Sequence, residues 1–313
     1  MSPSRVSTST ELIKRIEDDI RRSGFPLELY VLNVCSKKNT GRMPSIRYDH
    51  MGEPRELDLL TTFETIDTEV RGNDILQHTS TDLIIECKKS HEKPWIFFSS
   101  RPFADLDVTP FLKYYSEFDS YFSSKNLPSL LTHIFPRITG RFWADVTIPR
   151  CVTYHEAFRS KGASEIYKAI DSVITYLTYR REAQVQRRRK VGSFSEFYLP
   201  VIVLDGSLFE CSMSQDKIDL LRRQHIQLRT FHHEDVYIID IVTRSYFDRF
   251  FNEIQHFHKQ LVSAIRSIKF RSAFKAAVNA KWRKRWESPE PWARDMVLMS
   301  FASAQKRAKA RRK

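Results

Sequence analysis

A ten-residue stretch, Thr81–Ser90, constrains the fold more than any other part of the chain. It reads Thr-Asp-Leu-Ile-Ile-Glu-Cys-Lys-Lys-Ser, so a carboxylate at Glu86 and an ammonium at Lys88 interrupt an apolar run. Because alternate side chains of a β-strand share one face, Glu86 and Lys88 point the same way and Cys87 points to the other side. A charged pair on an otherwise buried strand is costly unless something compensates it. Either an internal ion pair or a metal ion bound to phosphate would do so.

The segments around this stretch predict a mixed sheet covered by helices. Thr10 has the residue type of a helix N-cap, and apolar residues recur at helical spacing from Leu12 to Ile20. Gly24 and Pro26 are predicted to end this helix. The predicted elements that follow are a strand at 29–34, a hairpin over 46–61 turning at Gly52, a strand at 81–90, a short strand at 95–98, a helix at 163–190, a strand at 199–204 closed by a turn at Asp205-Gly206, a strand at 236–242 and a helix at 247–268. This order predicts an α/β (α+β) fold, a mixed central β-sheet flanked by helices.

Basic charge collects at the C-terminal end of the chain. The formal net charge is +13, and residues 266–313 carry +12 of it, with 15 Lys and Arg against 3 Asp and Glu. Basic residues there alternate with aromatic ones, a pattern typical of phosphate contact combined with base stacking. The predicted nucleic-acid contacts are Lys281, Arg283, Lys284 and Arg285. A docked amphipathic helix with solvated charges and a basic helix lying on an anionic membrane stay open as alternatives.

Two regions are therefore expected: a domain over 1–265, and a basic helical extension over 266–313. Residues from about 100 to 160 are aromatic-rich and irregular, and we interpret them as an insertion in the first domain that carries short helices.

Several classes of protein are disfavoured by what the sequence contains. Its four cysteines are scattered, so neither a disulfide framework nor a zinc ribbon is expected, and a reducing compartment fits. The polar N-terminus does not have the character of a signal peptide, and no run approaches the roughly 18 apolar residues of a spanning helix. The eight glycines form no phosphate-cradling loop. A cytoplasmic protein is therefore expected.

A second carboxylate, Asp58, lies on the second strand of the predicted hairpin. Phosphodiester hydrolysis requires neutralised phosphate charge, an activated water and a stabilised leaving oxygen. Mg²⁺, or Mn²⁺ in its place, is usually held by one or two carboxylates plus the phosphate. Asp58 and Glu86 can supply the carboxylates and the carbonyl of Cys87 a third oxygen. Lys88 can then orient the water and stabilise the transition state. A cross-strand ion pair between Asp58 and Lys88 is the structural alternative.

Two short runs carry a resemblance to a known family. Arg55-Glu-Leu-Asp58, followed about two dozen residues later by Asp82-Leu-Ile-Ile-Glu-Cys-Lys88, resembles the signature of the PD-(D/E)XK, or restriction-endonuclease-like, nuclease superfamily. The residue before the aspartate is Leu57 and not proline, which departs from that signature. The resemblance covers residues 10–100 well and 163–205 loosely.

This resemblance implies a restriction-endonuclease-like core with the element order αβββαβ. It implies that Asp58 is the first acidic ligand, Glu86 the second and Lys88 the lysine of the site. An acidic residue on the first helix often joins such sites, and Glu17 is the candidate because it falls at the edge of the apolar stripe.

The sequence therefore predicts a metal-dependent nuclease that hydrolyses phosphodiester bonds, with DNA the favoured substrate and restriction, defence or repair the implied role. The alternative is a non-catalytic nucleic-acid-binding protein that keeps a degenerate nuclease fold. Cutting both strands would need either a homodimer or sequential nicks, and the sequence does not choose between them.

Overall fold

The computed structural model of the protein describes residues 5–38, 40–67, 77–99, 116–118, 148–158, 164–188, 193–214, 217–232 and 235–265. In these ranges the helices are α1 (Arg5–Arg22), α2 (Phe25–Ser36), α3 (Glu165–Arg188) and α4 (Arg244–Ile265). The strands are β1 (Gly41–His50), β2 (Glu53–Asp67), β3 (Gln77–Ser99), β4 (Ser116–Phe118), β5 (Arg150–Glu156), β6 (Ser193–Ser214), β7 (Lys217–Arg223), β8 (His225–His232) and β9 (Asp235–Thr243).

One mixed sheet contains all of these strands. β1, β2 and β3 form an antiparallel meander, and β6 pairs with β3 in parallel. The sheet continues from β3 through β5, β8 and β9 and returns to β6, so these five strands form a closed ring of pairings. β4 and β7 pair with β6. The predicted α/β fold, with a mixed sheet flanked by helices, is confirmed.

β3 lies at the centre of this sheet and both of its faces are covered. Leu83, Ile84 and Ile85 are all buried, as expected for a strand with helices on either side. Thr81 contacts His258 of α4, whereas Glu86 contacts Ser172 of α3. Since residues 81 and 86 point to opposite faces, α3 covers one face of the sheet and α4 the other.

The predicted strand at 29–34 is wrong, because residues 25–36 form α2. Gly24 is the N-cap of this helix and a proline lies in its first turn, where the missing N–H costs nothing. Leu27, Val31 and Val34 are buried at spacings of four and three, which places them on one helical face. Gly24 and Pro26 therefore end one helix and begin the next.

The other long predicted elements are confirmed, with different limits. The hairpin turns at Met51 and Gly52, which both have positive φ values of 54° and 81°. The predicted strands at 81–90 and 95–98 are one continuous strand, β3, with a register irregularity between Ser90 and Trp95 in its pairing with β6. The helices predicted at 163–190 and 247–268 correspond to α3 and α4. The strands predicted at 199–204 and 236–242 correspond to β6 and β9.

The predicted turn at Asp205-Gly206 is also wrong, because β6 continues through it to Ser214. Gly206 pairs with Ser90 in the β3–β6 ladder, and a Cβ at this position would overlap the carbonyl oxygen of Ser90. The glycine is there because the two strands approach closely, and not because the chain reverses.

Two strands, β4 and β5, lie in the region interpreted as an irregular insertion, and β7 and β8 had not been predicted. Most of residues 100–160 and the whole basic extension at 266–313 lie outside the described residues. In the part of the chain that is described, no helix is long and apolar enough to cross a membrane.

Candidate active site

Asp58 lies where the pairing between β2 and β3 stops. The ladder runs from Asp67 opposite Gln77 to Leu59 opposite Ile85, and the next pair in register would be Asp58 and Glu86. At that point the Oδ2 atom of Asp58 accepts a hydrogen bond of 2.7 Å from the backbone N–H of Cys87. The Asp58 carboxylate therefore takes the place of a strand backbone as the partner of β3, and its chain position brings it beside Glu86.

Glu86 is held by one contact to each of its oxygen atoms. Oε1 accepts a hydrogen bond of 2.7 Å from Nζ of Lys88, and Oε2 accepts one of 2.8 Å from Oγ of Ser172 on α3. The Glu86 side chain is 8% exposed and that of Lys88 is 24% exposed, so the pair lies at the edge of the buried region. The two side chains share one face, as the strand period predicts.

Cys87 presents its backbone and its thiol in different directions. In a strand the N–H and C=O of one residue point to the same edge, so the carbonyl of Cys87 lies on the Asp58 side with its N–H. The thiol is buried, and burial raises the pKa of Cys87 well above its ordinary value. Any ligand that Cys87 offers to a metal is therefore its carbonyl oxygen and not its sulfur.

The two carboxylates repel each other in a poorly hydrated place. Burial raises the pKa of Glu86 to about 7, and the negative charge of Asp58 adds to this effect, although Lys88 and Ser172 oppose it. Burial also raises the pKa of Asp58, against the opposing effects of the Cys87 N–H and Lys88. One ammonium does not fully compensate the two negative charges.

Lys88 is a cation and not a base. Burial lowers its pKa, but Glu86, the hydrogen bond to that carboxylate and Asp58 raise it further, and the net shift is upward. An amine that holds its proton more firmly than usual cannot accept one from water at neutral pH. Lys88 can therefore contribute only as a positive charge and hydrogen-bond donor.

The structure places Glu17, the predicted acidic residue of the first helix, on the exposed surface of α1. Its carboxylate lies 3.7 Å from the guanidinium of Arg21, and within the described residues no interaction links it to Asp58, Glu86 or Lys88. The apolar stripe beside it is also exposed, with Ile16 50% and Ile20 49% accessible. The structure therefore brings together three of the four predicted catalytic residues and leaves Glu17 apart from them.

Glu28 on α2 occupies the kind of position that was predicted for Glu17. Burial raises the pKa of Glu28, the charges of Asp58 and Glu56 add to the shift, and Lys88 opposes it. These effects show that the Glu28 carboxylate lies in the electrostatic field of the site. The sequence predicts a strand at 29–34 and so gives Glu28 no helical position, because α2 is apolar on most sides and the spacing of the buried Leu27, Val31 and Val34 is evident only in the structure.

Two adjacent residues of α3 hold this helix against the site, one by a contact to β3 and the other by a contact to β2. Ser172 binds Glu86, and Oδ2 of Asp171 lies 3.2 Å from the guanidinium of Arg55 on β2. Tyr48 of β1 is buried against Tyr176 and Tyr179 of α3, and burial raises its pKa to about 12, with the charge of Glu86 adding to the shift. Nothing in the sequence around Ser172 distinguishes it from any other helical serine.

The residues present fit a divalent cation with oxygen ligands. Mg²⁺ typically uses one or two carboxylates, and the incompletely compensated charge of Asp58 and Glu86 is what such a cation would neutralise. Together with the Cys87 carbonyl they form a set of hard oxygen donors. Across the described ranges no three His, Cys, Asp or Glu side chains gather as a metal-binding group.

Comparisons of the chain with protein-family models, with curated proteins and with solved structures found no match. The chemistry of the site is therefore inferred from its own geometry. The four predicted nucleic-acid contacts of the basic extension, Lys281, Arg283, Lys284 and Arg285, lie outside the described residues.

Proposed function

We propose that the protein is a metal-dependent nuclease whose active site is formed by Asp58, Glu86 and Lys88. One observation carries the proposal: the Asp58 carboxylate replaces the backbone partner of β3 one residue from Glu86, while Lys88 binds Glu86 directly. Two carboxylates and one ammonium therefore lie near a single interruption of the sheet, which supports the proposal.

The order of elements supports the same proposal. A helix precedes the three antiparallel strands β1, β2 and β3, and α3 then leads to β6, which is parallel to β3. With α1 and the intervening strands β4 and β5 set aside, this order is similar to the αβββαβ order that the resemblance to the restriction-endonuclease-like superfamily implies. We infer a core of that type, with Glu86 and Lys88 on its third strand.

In the proposed reaction a water oxygen forms a bond to phosphorus as the ester P–O bond breaks, which leaves a phosphate monoester and a hydroxyl group. Asp58 and Glu86 would hold Mg²⁺ or Mn²⁺ with the carbonyl of Cys87, and this cation supplies charge neutralisation at the phosphate. Lys88 orients the water and stabilises the charge that develops in the transition state. Ser172 is a positioning residue, because it fixes the carboxylate of Glu86.

The favoured substrate is nucleic acid. The +12 net charge of residues 266–313 attracts a polyanion, and a nuclease needs affinity for the backbone it cuts. We infer DNA as the substrate class, with a role in restriction, defence or repair.

A cleavage assay with purified full-length protein tests this proposal. Plasmid, linear duplex DNA, single-stranded DNA and RNA are incubated with Mg²⁺, with Mn²⁺ or with EDTA. We expect cleavage that requires the metal and falls by about 10²-fold or more in Glu86→Gln and in Lys88→Met, because both remove charge at the reacting phosphate.

Two matched variants control for effects on folding. Glu210→Gln removes a partly buried carboxylate that binds Arg223, and Lys89→Met removes the lysine that follows Lys88, whose ammonium binds the carbonyl of Arg21. Both should cleave within about threefold of the unchanged protein. Binding without cleavage under every metal condition would instead identify a non-catalytic nucleic-acid-binding protein, and full activity in the Glu86 and Lys88 variants would refute the assigned site.

A further inference from the structure

A second polar site lies away from Asp58 and Glu86, in a cleft of about 400 Å³. Its walls come from α2, β3, β6, β7, the end of β9 and the start of α4. This volume lies in the range of roughly 300–1,000 Å³ that small-molecule sites occupy. The cleft is therefore large enough for a ligand of more than a few atoms.

Basic side chains from three separate elements line this cleft. Arg222 comes from β7, Arg244 from the start of α4 and His91 from β3. Asp205 is the one carboxylate of the lining, and its Oδ2 lies 3.3 Å from Arg244 and 3.7 Å from Nε2 of His91. The two guanidinium groups and the one carboxylate among these lining residues therefore give a net charge of +1.

Asp205 pairs with Arg244, and the positive charge of Arg222 remains in the cleft. The guanidinium of Arg244 also lies over the Tyr30 ring, 5.0 Å from its centre, in a cation–π contact. Arg222 is exposed, and no carboxylate of the described residues pairs with it. Arg244, which is paired with Asp205, and Arg222, which has no carboxylate partner among the described residues, thus line the same cleft.

Hydroxyl groups complete the polar lining. Ser207, Thr243 and Ser245 also line the cleft, and the hydroxyl oxygens of Thr243 and Ser245 lie 3.1 Å apart. Guanidinium groups bind the oxygens of a phosphate in pairs, and serine and threonine hydroxyls add single hydrogen bonds to it. This combination suits a tetrahedral oxyanion better than a carboxylate or an apolar ligand.

The cleft lies on the other face of the sheet from Glu86. Asp205 pairs with Lys89, and these two residues share the face opposite that of Glu86 and Lys88. Gly206 forms part of the floor, where the close approach of β6 to Ser90 leaves no room for a side chain. A group bound in this cleft is therefore separate from a phosphate at the Asp58–Glu86 site.

We propose that this cleft is a binding site for a terminal phosphate group, supplied either by a free nucleoside monophosphate or by the phosphorylated end of a nucleic-acid strand. Arg222 and Arg244 hold the phosphate oxygens, and the hydroxyls of Thr243 and Ser245 add hydrogen bonds. The proposal does not depend on hydrolysis at Glu86.

Calorimetric titration of the full-length protein tests the site. The probes are inorganic phosphate, a nucleoside 5′-monophosphate and two otherwise identical single-stranded oligonucleotides, one with a 5′-phosphate and one with a 5′-hydroxyl. EDTA is present throughout, so that no probe binds through a metal at Asp58 and Glu86. We expect saturable binding of phosphate and of the monophosphate, weakened at least about tenfold in Arg222→Gln.

The two oligonucleotides separate the sources of the phosphate. A 5′-phosphate that tightens binding several-fold, in an Arg222-dependent way, identifies a strand end, because the basic extension contributes equally to both oligonucleotides. Arg222-dependent binding of the monophosphate with no difference between the oligonucleotides identifies a free nucleotide.

Arg249→Gln is the matched control, because Arg249 is an exposed arginine of α4 that binds Glu253 and does not line the cleft. It should bind each probe as the unchanged protein does. Arg222 lies on an exposed strand, so its loss should leave the unfolding midpoint unchanged. The absence of saturable binding, or equal weakening in the Arg222 and Arg249 variants, would overturn the proposal.

Discussion

Two carboxylate–cation pairs lie four residues apart on the same face of β3, and they differ in their surroundings more than in their composition. Asp82 pairs with Arg180 of α3 at 3.2 Å, with side chains 1% and 17% exposed. Glu86 pairs with Lys88 of its own strand at 2.7 Å, with side chains 8% and 24% exposed. Each pair also has a second carboxylate near it, Glu196 in one case and Asp58 in the other.

The difference lies in the backbone on either side of β3. At Asp82 the strand is paired with Thr62 of β2 and with Tyr198 of β6, so the ladder is complete and the charges are enclosed. At Glu86 the pairing with β2 has ended, and the Asp58 carboxylate takes its place. The comparison teaches that buried charge alone does not identify an active site, whereas at Glu86 the interrupted ladder brings a second carboxylate to the backbone of β3.

The largest expected effect on stability comes from breaking the buried pair of Asp82 and Arg180. Arg180→Met leaves Asp82 buried without a cation, and we expect the free energy of unfolding in urea to fall by about 3–5 kcal/mol. The double variant Asp82→Asn with Arg180→Met should recover most of this loss. A single variant that loses less than about 1 kcal/mol would contradict the structural role of the pair.

Removing the charge of Glu86 from the Glu86–Lys88 pair should change the free energy of unfolding in the opposite direction. The pKa of Glu86 is raised to about 7 from 4.5, so its ionised form is disfavoured in the folded state, and this cost is present above pH 7 and absent below about pH 4.5. Glu86→Gln should therefore raise the free energy of unfolding by about 1–2 kcal/mol at pH 8 while it abolishes cleavage.

Urea titrations at pH 8 and pH 5 check the sign of this effect. The gain should shrink at pH 5, because Glu86 is then largely protonated in the folded protein and little ionised carboxylate is buried. A Glu86→Gln protein that is less stable than the unchanged protein at pH 8 would place Glu86 in the same structural class as Asp82.

The pH dependence of cleavage tests whether Glu86, unlike Asp82, binds a cation. Because Glu86 must be ionised to bind a cation, activity at limiting Mg²⁺ should fall about tenfold for each pH unit below about 7 and level off above it. Higher Mg²⁺ concentrations should move the midpoint to lower pH, because metal and proton compete for one carboxylate. A midpoint that does not respond to Mg²⁺ would argue against Glu86 as a ligand.

The smallest effect is expected from the positioning residue. Ser172→Ala removes the hydrogen bond to Oε2 of Glu86, and cleavage should fall by about three- to tenfold with little change in stability. Since this bond opposes the upward shift in the pKa of Glu86, the midpoint of the pH profile should also rise. Thr178→Ala, on the same helix, should change neither quantity.

The parts of the site that lie on strands could be predicted from sequence. The two-residue period fixes the common face of Glu86 and Lys88, and the hairpin places Asp58 on the neighbouring strand. The parts on helices could not be predicted. α2 is apolar on most of its surface, so its sequence shows no clear helical period and resembles a buried strand, and Glu28 was overlooked with it. Which face of α3 docks on β3, and hence the role of Ser172, depends on tertiary packing.

The sheet was predicted less completely at its margins. β7 is exposed at every residue except the half-buried Arg223, so its sequence lacks the alternation of a strand with one buried face. Gly206 was interpreted as a turn because glycine usually marks one, but here it permits a close approach of two strands. Both a tight turn and a close contact between strands depend on the missing Cβ atom of glycine, and only the fold shows which of the two is present.

The long parallel ladder between β3 and β6 also determines when the site can form during folding. It joins Gln77 to Ser193 and continues for most of both strands, so its partners lie more than a hundred positions apart in sequence. Closing so long a loop is entropically costly, and such contacts slow folding, whereas the β1–β2 hairpin is local and rapid. Asp58 and Glu86 can therefore come together early, when β2 pairs with β3. Ser172 contacts Glu86, and α3 packs over the site, only when β6 pairs with β3. Until then the charged face of β3 remains hydrated, which postpones the cost of burying its carboxylates to the last stage of folding.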